Sequence, residues 1–303
     1  MPDEPVRPRQ VVRPGRTALG VCGAVVAMLL AGCGAHAASS SPLVPSVPGS
    51  VPRPDHVLVV VFENKDYEQI VGGPQAPYLT ELARQGANLT DAHGEAHPSQ
   101  PNYVALLSGS TQGVTNDACP QELGGAPTLG GQLAAAGLSF TGFSEGLPAP
   151  GFTGCSSRDG RYARKHNPWV DFTSSPPGAN APLSALPTDH AALPTVGVVI
   201  PDMCHDMHDC PVSAGDAWAR DNLAGYVQWA RSHNSLLVIT FDEDDGRSQN
   251  HIATMLVGPM VRPGDVGGRV DHYTLLRTIE DMYGLPALGG AAHTAPLTGF
   301  WLR

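Results

Sequence analysis

Chemistry concentrates first at Ala96-His97-Pro98-Ser99-Gln100-Pro101-Asn102-Tyr103, where a hydroxyl stands between two prolines, with an imidazole before it and a carboxamide after it. The prolines fix φ and remove two backbone donors, so the loop is stiff. Tyr103 to Ser108, followed by Gly109, reads as a short helix with a glycine stop. Ser99 therefore sits at or just before a helix N-terminus, where amide N–H groups and the helix dipole favour an anion. The plain alternative is a serine that only caps the helix.

Three other polar groups lie where apolar runs end. Glu63-Asn64 follows His56 to Phe62, Asp202-Met203-Cys204-His205-Asp206-Met207-His208 follows Thr195 to Ile200, and Asp242-Glu243-Asp244-Asp245 follows Ser235 to Phe241. Runs this apolar are expected of parallel strands buried on both faces. In an open parallel sheet, ligands bind beyond the carboxyl ends of the strands. Convergence of the four groups places Glu63, Asp242 and Glu243 with the amide oxygen of Asn64, a hard oxygen set suited to one divalent cation, Mg²⁺, Ca²⁺, Mn²⁺ or Zn²⁺. Crowded carboxylates need such an ion to relieve their repulsion. Beside it Ser99 is a nucleophile towards phosphorus, Asn102 a donor to a phosphate oxygen, and His208, His205 or His97 an acid for the leaving alkoxide, because imidazole titrates near the working pH.

The elements needed to hold these residues follow the same alternation. Helices are expected over Pro77–Arg84, Thr128–Ala136, Asp216–Ser232 and Tyr273–Tyr283, and further strands over Ala87–Ala92, Ser139–Phe143 and Ile252–Val257. This predicts an α/β domain, a mainly parallel central sheet with helices on both faces. Residues 144–194, rich in Gly, Pro, Ser and Asn, read as a long excursion over the strand ends.

The chain has 303 residues and a net charge of −10. Without a basic run, it lacks the electrostatic footprint of a nucleic-acid-binding protein. Arg7, Arg9, Arg13 and Arg16 precede a short apolar run that ends Leu30-Ala31-Gly32-Cys33. That is the pattern of a lipoprotein signal peptide over residues 1–32, with Cys33 lipidated; cleavage after Ala35 or Ala37 is the alternative. Residues 33–54 read as a tether and 55–303 as the catalytic domain. Export as an outward-facing membrane lipoprotein, or secretion, agrees with the remaining cysteines, an even set of Cys119, Cys155, Cys204 and Cys210. Three pairings are possible; Cys204 with Cys210 and Cys119 with Cys155 is the expected one.

The segments Val60–Asn64, His97–Tyr103, Cys204–Asp209 and Phe241–Gly246 resemble the phosphoesterase family of bacterial acid phosphatases and phospholipases C, most closely its secreted mycobacterial acid phosphatase branch. Tyr162–Trp169, Gly215–Trp218 and Tyr283–Pro286 carry the same likeness, which runs from about residue 56 to 301. The resemblance implies an alkaline-phosphatase-like fold. It implies Glu63, Asn64, Asp242 and Glu243 as metal ligands, with Ser99 as nucleophile and further ligand. Asn102 and His208 would contact the phosphoryl group, and Lys165, His166, His97 and His251 would belong to the substrate pocket. The activity implied is hydrolysis of phosphomonoesters, phosphoinositides among them, through a phosphoserine. A phospholipase C-type phosphodiesterase, or a lipoprotein that binds phosphorylated solutes without turnover, are the other readings.

Overall fold

The computed structural model describes residues 51–302. The expected signal peptide, the lipidated Cys33 and the tether up to residue 50 lie outside the described residues. In chain order the elements are β1 (His56–Phe62), α1 (Tyr67–Ile70), α2 (Pro77–Gln85), β2 (Ala87–His93), α3 (Gln100–Ser108), α4 (Leu129–Ala135), β3 (Phe140–Ser144), β4 (Asn180–Pro182), β5 (Val196–Ile200), α5 (Val212–Ala230), β6 (Ser235–Phe241), β7 (His251–Val257), β8 (Gly264–Val266), β9 (Val270–Asp271) and α6 (His272–Tyr283).

β1 is the centre of the sheet because its β-branched run has no polar side to expose; Val57 to Phe62 are all buried. It pairs in parallel with β5 on one side and β6 on the other. The full order is β4-β3-β5-β1-β6-β7-β2-β8, with β9 also on β2. β7 runs antiparallel to both β6 and β2. The other strands therefore share one direction, and β1, β2, β3, β5 and β6 all end at the same edge.

Alternation along β1 fixes where the helices pack. Phe62 meets Trp218 of α5 edge-on at 5.9 Å, and α5 packs with α2 on that face. Val59 and Val61 face Tyr103 and Leu106 of α3 and Ile279 of α6. Local signals stop these helices. Asp271 accepts the Thr274 amide at 2.8 Å to start α6. Gly109, with φ +70°, ends α3. A side chain at Gly109 would also strike the Leu288 carbonyl, 2.2 Å from an ideal Cβ.

The sequence reading misses α1, β4, β8 and β9, all short, and does not assign the reversal of β7. Residues 51–54, expected in the tether, are part of the folded domain: Val51 packs on the core and Pro54 is buried. The excursion over 144–194 is ordered by short 3₁₀ turns at Arg164–His166, Pro168–Val170, Leu183–Ala185 and His190–Ala192. Buried Arg164 ties it down through Asp171, Thr153 O and Gln121 O. Disulfides join Cys119 to Cys155 and Cys204 to Cys210, the expected pairing.

Candidate active site

The shared strand edge gathers the groups that the sequence placed after each strand. Glu63 and Asn64 leave β1, Asp242 and Glu243 leave β6, and the 202–208 loop leaves β5. The backbone stitches them together: Glu63 N donates to Asp206 O at 2.8 Å and Asp242 N donates to Phe62 O at 3.0 Å. Asn64 takes φ +55°, a region asparagine tolerates. In that turn its N–H donates to Asp242 Oδ1 at 3.1 Å and its Nδ2 to Glu63 Oε2 at 2.8 Å.

Ser99 occupies the N-cap position of α3, but its side chain caps nothing. The hydroxyl is buried, 2.9 Å from Glu63 Oε2 and 3.0 Å from Glu243 Oε1. One hydroxyl proton cannot satisfy both carboxylates. The side chain is therefore set between two proton acceptors and is not used to cap the helix.

The carboxylates around it ionise unequally. Burial alone would raise Glu63. The imidazolium of His166, the Tyr103 hydroxyl and the charge of Lys165 outweigh it and hold Glu63 at about 2. Asp242 is pushed well above the usual carboxylate range by burial and by the charges of Glu63 and Glu243. Glu243 is pushed up to about 7, chiefly by burial. Asp242 Oδ2 is buried without a hydrogen-bond partner. Mutual repulsion, an orphaned carboxylate oxygen and a hydroxyl shared by two acids form a donor set that a divalent cation fits. Glu63, Asn64, Ser99, Asp242 and Glu243 are the residues placed to hold one.

Imidazoles and a lysine line the other side of the site. His97 pairs through Nδ1 with Glu243 Oε2 and lies 3.3 Å through Nε2 from Asp244 Oδ1. His166 lies 2.8 Å from Glu63 Oε1 and 3.3 Å from Asp206 Oδ2. Burial opposes its protonation, but these two carboxylates push it up to about 10. Lys165 bonds Asp117 Oδ2 at 2.8 Å and lies 3.3 Å from His208 Nε2, while His208 Nδ1 lies 2.7 Å from Asp209 Oδ1. The long excursion thus has a use: it carries Lys165 and His166 onto the strand edge.

Three expected residues are placed elsewhere. Asn102 Oδ1 accepts the amides of Glu95 and Ala96, both at 2.9 Å, and its Nδ2 donates to Ala96 O at 2.8 Å. Its amide shapes the loop before Ser99 rather than facing a phosphate. His205 contacts Glu145 Oε2 at 2.8 Å and Asp202 Oδ1 at 3.4 Å, a separate group in which Arg161 already neutralises Asp202. His251 stacks between Tyr67 and His93 and lies 3.1 Å from Thr90 O through Nε2. His205 in the cluster after Ile200 and His251 at the start of β7 resemble site residues in sequence, but their side chains are taken up by neighbours outside the Ser99 group.

Tyr103 and His272, which the sequence does not mark as polar site residues, complete the site together with Asp206 of the cluster after Ile200. The Tyr103 hydroxyl donates to Glu63 Oε1 at 2.7 Å. Asp206 backs His166. Buried His272 rests Nδ1 on Glu95 Oε2 and donates Nε2–H to Phe241 O at 2.9 Å, bracing the Ser99 loop against the end of β6. Burial opposes its charge, and Glu95 raises its pKa. An aromatic in a helix and a histidine at a helix start read as core positions, so only their polar atoms' partners reveal them.

The Phosphoesterase family matches residues 73–286. The chain belongs to the phosphoesterase family. It is 44% identical over 94% of its length to the phosphatidylinositol-3-phosphatase of Mycobacterium tuberculosis, of which it covers 94%. It is 31% identical over 76% of its length to an acid phosphatase of Aspergillus fumigatus and 30% identical over 78% to a phosphate-repressible acid phosphatase of Penicillium chrysogenum. The chain spans 55% and 60% of those two fungal proteins. Among solved structures it resembles an alkaline phosphatase superfamily protein from Vibrio parahaemolyticus, with a TM-score of 0.59 at 12% identity over 83% of this chain and 70% of the other. The fold of the phosphoesterase is therefore alkaline-phosphatase-like, as its motifs implied.

Proposed function

We propose that this phosphoesterase is an exported, metal-dependent acid phosphatase that hydrolyses phosphomonoesters through a phosphoserine at Ser99. The observation that carries the reading is the Ser99 hydroxyl, buried at the strand edge between the carboxylates of Glu63 and Glu243. Its likeness to fungal acid phosphatases and to a mycobacterial phosphatidylinositol-3-phosphatase supports a phosphate monoester as substrate, a phosphoinositide among the candidates. The N-terminal pattern and the two disulfides support export.

Ser99 Oγ attacks phosphorus, its proton passing to a neighbouring carboxylate, and the P–O bond to the alcohol breaks. The leaving alkoxide takes a proton from His208 or His97, the two histidines at the site with partial exposure. Water then attacks the phosphoserine, releasing inorganic phosphate and restoring the hydroxyl. Glu63, Asn64, Ser99, Asp242 and Glu243 would hold a divalent ion, which would supply Lewis acidity to the reaction. Lys165 and the imidazolium of His166 keep positive charge beside the site as negative charge builds on phosphorus.

The test is p-nitrophenol release from p-nitrophenyl phosphate and p-nitrophenyl phosphorylcholine, with and without chelator, by the wild type and Ser99→Ala. The reading expects monoester hydrolysis that chelator abolishes, a divalent ion restores and the substitution removes. Preference for the diester would make the protein a phosphodiesterase. Binding of phosphate esters without release would make it a carrier.

A further inference from the structure

The two oxygens of Glu63 keep different company. Oε2 is shared by Ser99 Oγ at 2.9 Å and Asn64 Nδ2 at 2.8 Å. Oε1 receives the Tyr103 hydroxyl at 2.7 Å and lies 2.8 Å from His166 Nε2. That imidazole nitrogen makes no aligned hydrogen bond. His166 therefore contributes charge, and Tyr103 contributes the directed bond. The Tyr103 ring is buried and stacks on His166 with centroids 5.1 Å apart and an interplanar angle of 20°, and it borders an apolar cavity with Val59, Val61 and Leu107. A phenylalanine would fill the same apolar space, so packing alone gives no reason for the hydroxyl.

We infer that Tyr103 is a positioning residue that commits Oε1 of Glu63 to the protein, so that Glu63 meets a bound divalent cation through Oε2 alone and the site selects a small octahedral ion over Ca²⁺. Calcium takes six to eight oxygens at about 2.3–2.6 Å and accepts both oxygens of one carboxylate. Magnesium demands near-octahedral single-oxygen contacts at about 2.0–2.1 Å, and Mn²⁺ shares its preference for oxygen ligands. A carboxylate with one oxygen pinned by a rigid aromatic hydroxyl cannot turn to offer both. The inference rests on the reading that these carboxylates hold a divalent cation.

The test is calorimetric titration of Mn²⁺ and of Ca²⁺ into the cation-free wild type, Tyr103→Phe and Asp206→Asn, each shown to be folded by near-UV circular dichroism. The wild type is expected to bind Mn²⁺ more tightly. Tyr103→Phe is expected to lose about 10–100-fold in Mn²⁺ affinity, the usual effect of removing a ligand's hydrogen-bond partner, and much less for Ca²⁺, so the ratio of the two collapses. Asp206→Asn weakens the support of His166 but keeps the Tyr103 bond, and is expected to retain the ratio. An unchanged ratio in Tyr103→Phe, an equal collapse in Asp206→Asn, or tighter Ca²⁺ binding by the wild type would each overturn the inference alone. No binding of either ion by the wild type would overturn the metal reading and this inference with it.

Discussion

Glu63 and Glu280 are both fully buried, yet their carboxyls sit on opposite sides of neutrality. Glu63 is held at about 2. Glu280, in α6, is pushed up to about 8 because burial outweighs its favourable partners, a Leu288 amide 2.9 Å from Oε1 and the charge of Arg277. Its Oε2 has no hydrogen-bond partner. Burial is common to both, so burial does not make a functional carboxylate. The difference is the set of donors that the fold delivers: Tyr103 from α3, Asn64 from the turn after β1, Ser99 before α3 and an imidazolium from the long excursion. Glu280 instead serves a structural end, holding the return of the chain after α6.

Glu63→Gln against Glu280→Gln is the strongest way to break this contrast. Glu63→Gln is expected to lower kcat/KM by more than about a hundredfold, beyond the loss from removing a ligand's hydrogen-bond partner. It should also destabilise the fold, because it leaves the buried charge of His166 with Asp206 as its remaining carboxylate. Glu280→Gln is expected to leave kcat/KM unchanged and to move stability by less than about 1 kcal/mol. Steady-state kinetics and urea titration of both variants check this; equal effects at the two sites would erase the contrast.

A smaller effect sharpens it through pH. Glu280 has a raised pKa in the folded state, so between about 4.5 and about 8 the fold binds a proton that the unfolded chain has lost. Its contribution to stability therefore falls as pH rises through that window. Glu63 has a lowered pKa, so its contribution is present above about 4.5 and is lost as pH falls towards about 2. Thermal melts of the cation-free protein from pH 4.5 to 8 are expected to show falling stability, with a shallower fall in Glu280→Gln. An identical slope in that variant would mean that Glu280 is ionised in the fold.

The parts legible in the sequence were those where pattern and chemistry coincide. The central strands announce themselves as apolar runs, and Glu63, Ser99, Asp242 and Glu243 follow from standing at or near their ends. Position at a strand end does not fix direction, which is why His205 turns away to Glu145 and Asp202. The reversal of β7 places His251 at the same edge but stacks it between two rings. Asn102 has the right type and place, yet the tight loop at 95–98 consumes its amide. Tyr103 and His272 were illegible for the opposite reason. Each looks like core, and its polar atom gains meaning only when a distant segment supplies the partner.

The most direct measurement is to mix the enzyme with a phosphomonoester, quench in acid and map phosphate on the digested chain by mass spectrometry. A phosphorylated peptide carrying Ser99, formed within a turnover and absent from an inactive Ser99→Ala variant, is the predicted result. Phosphate release that continues at the wild-type rate in Ser99→Ala, or a transient phosphate on another residue, would contradict it.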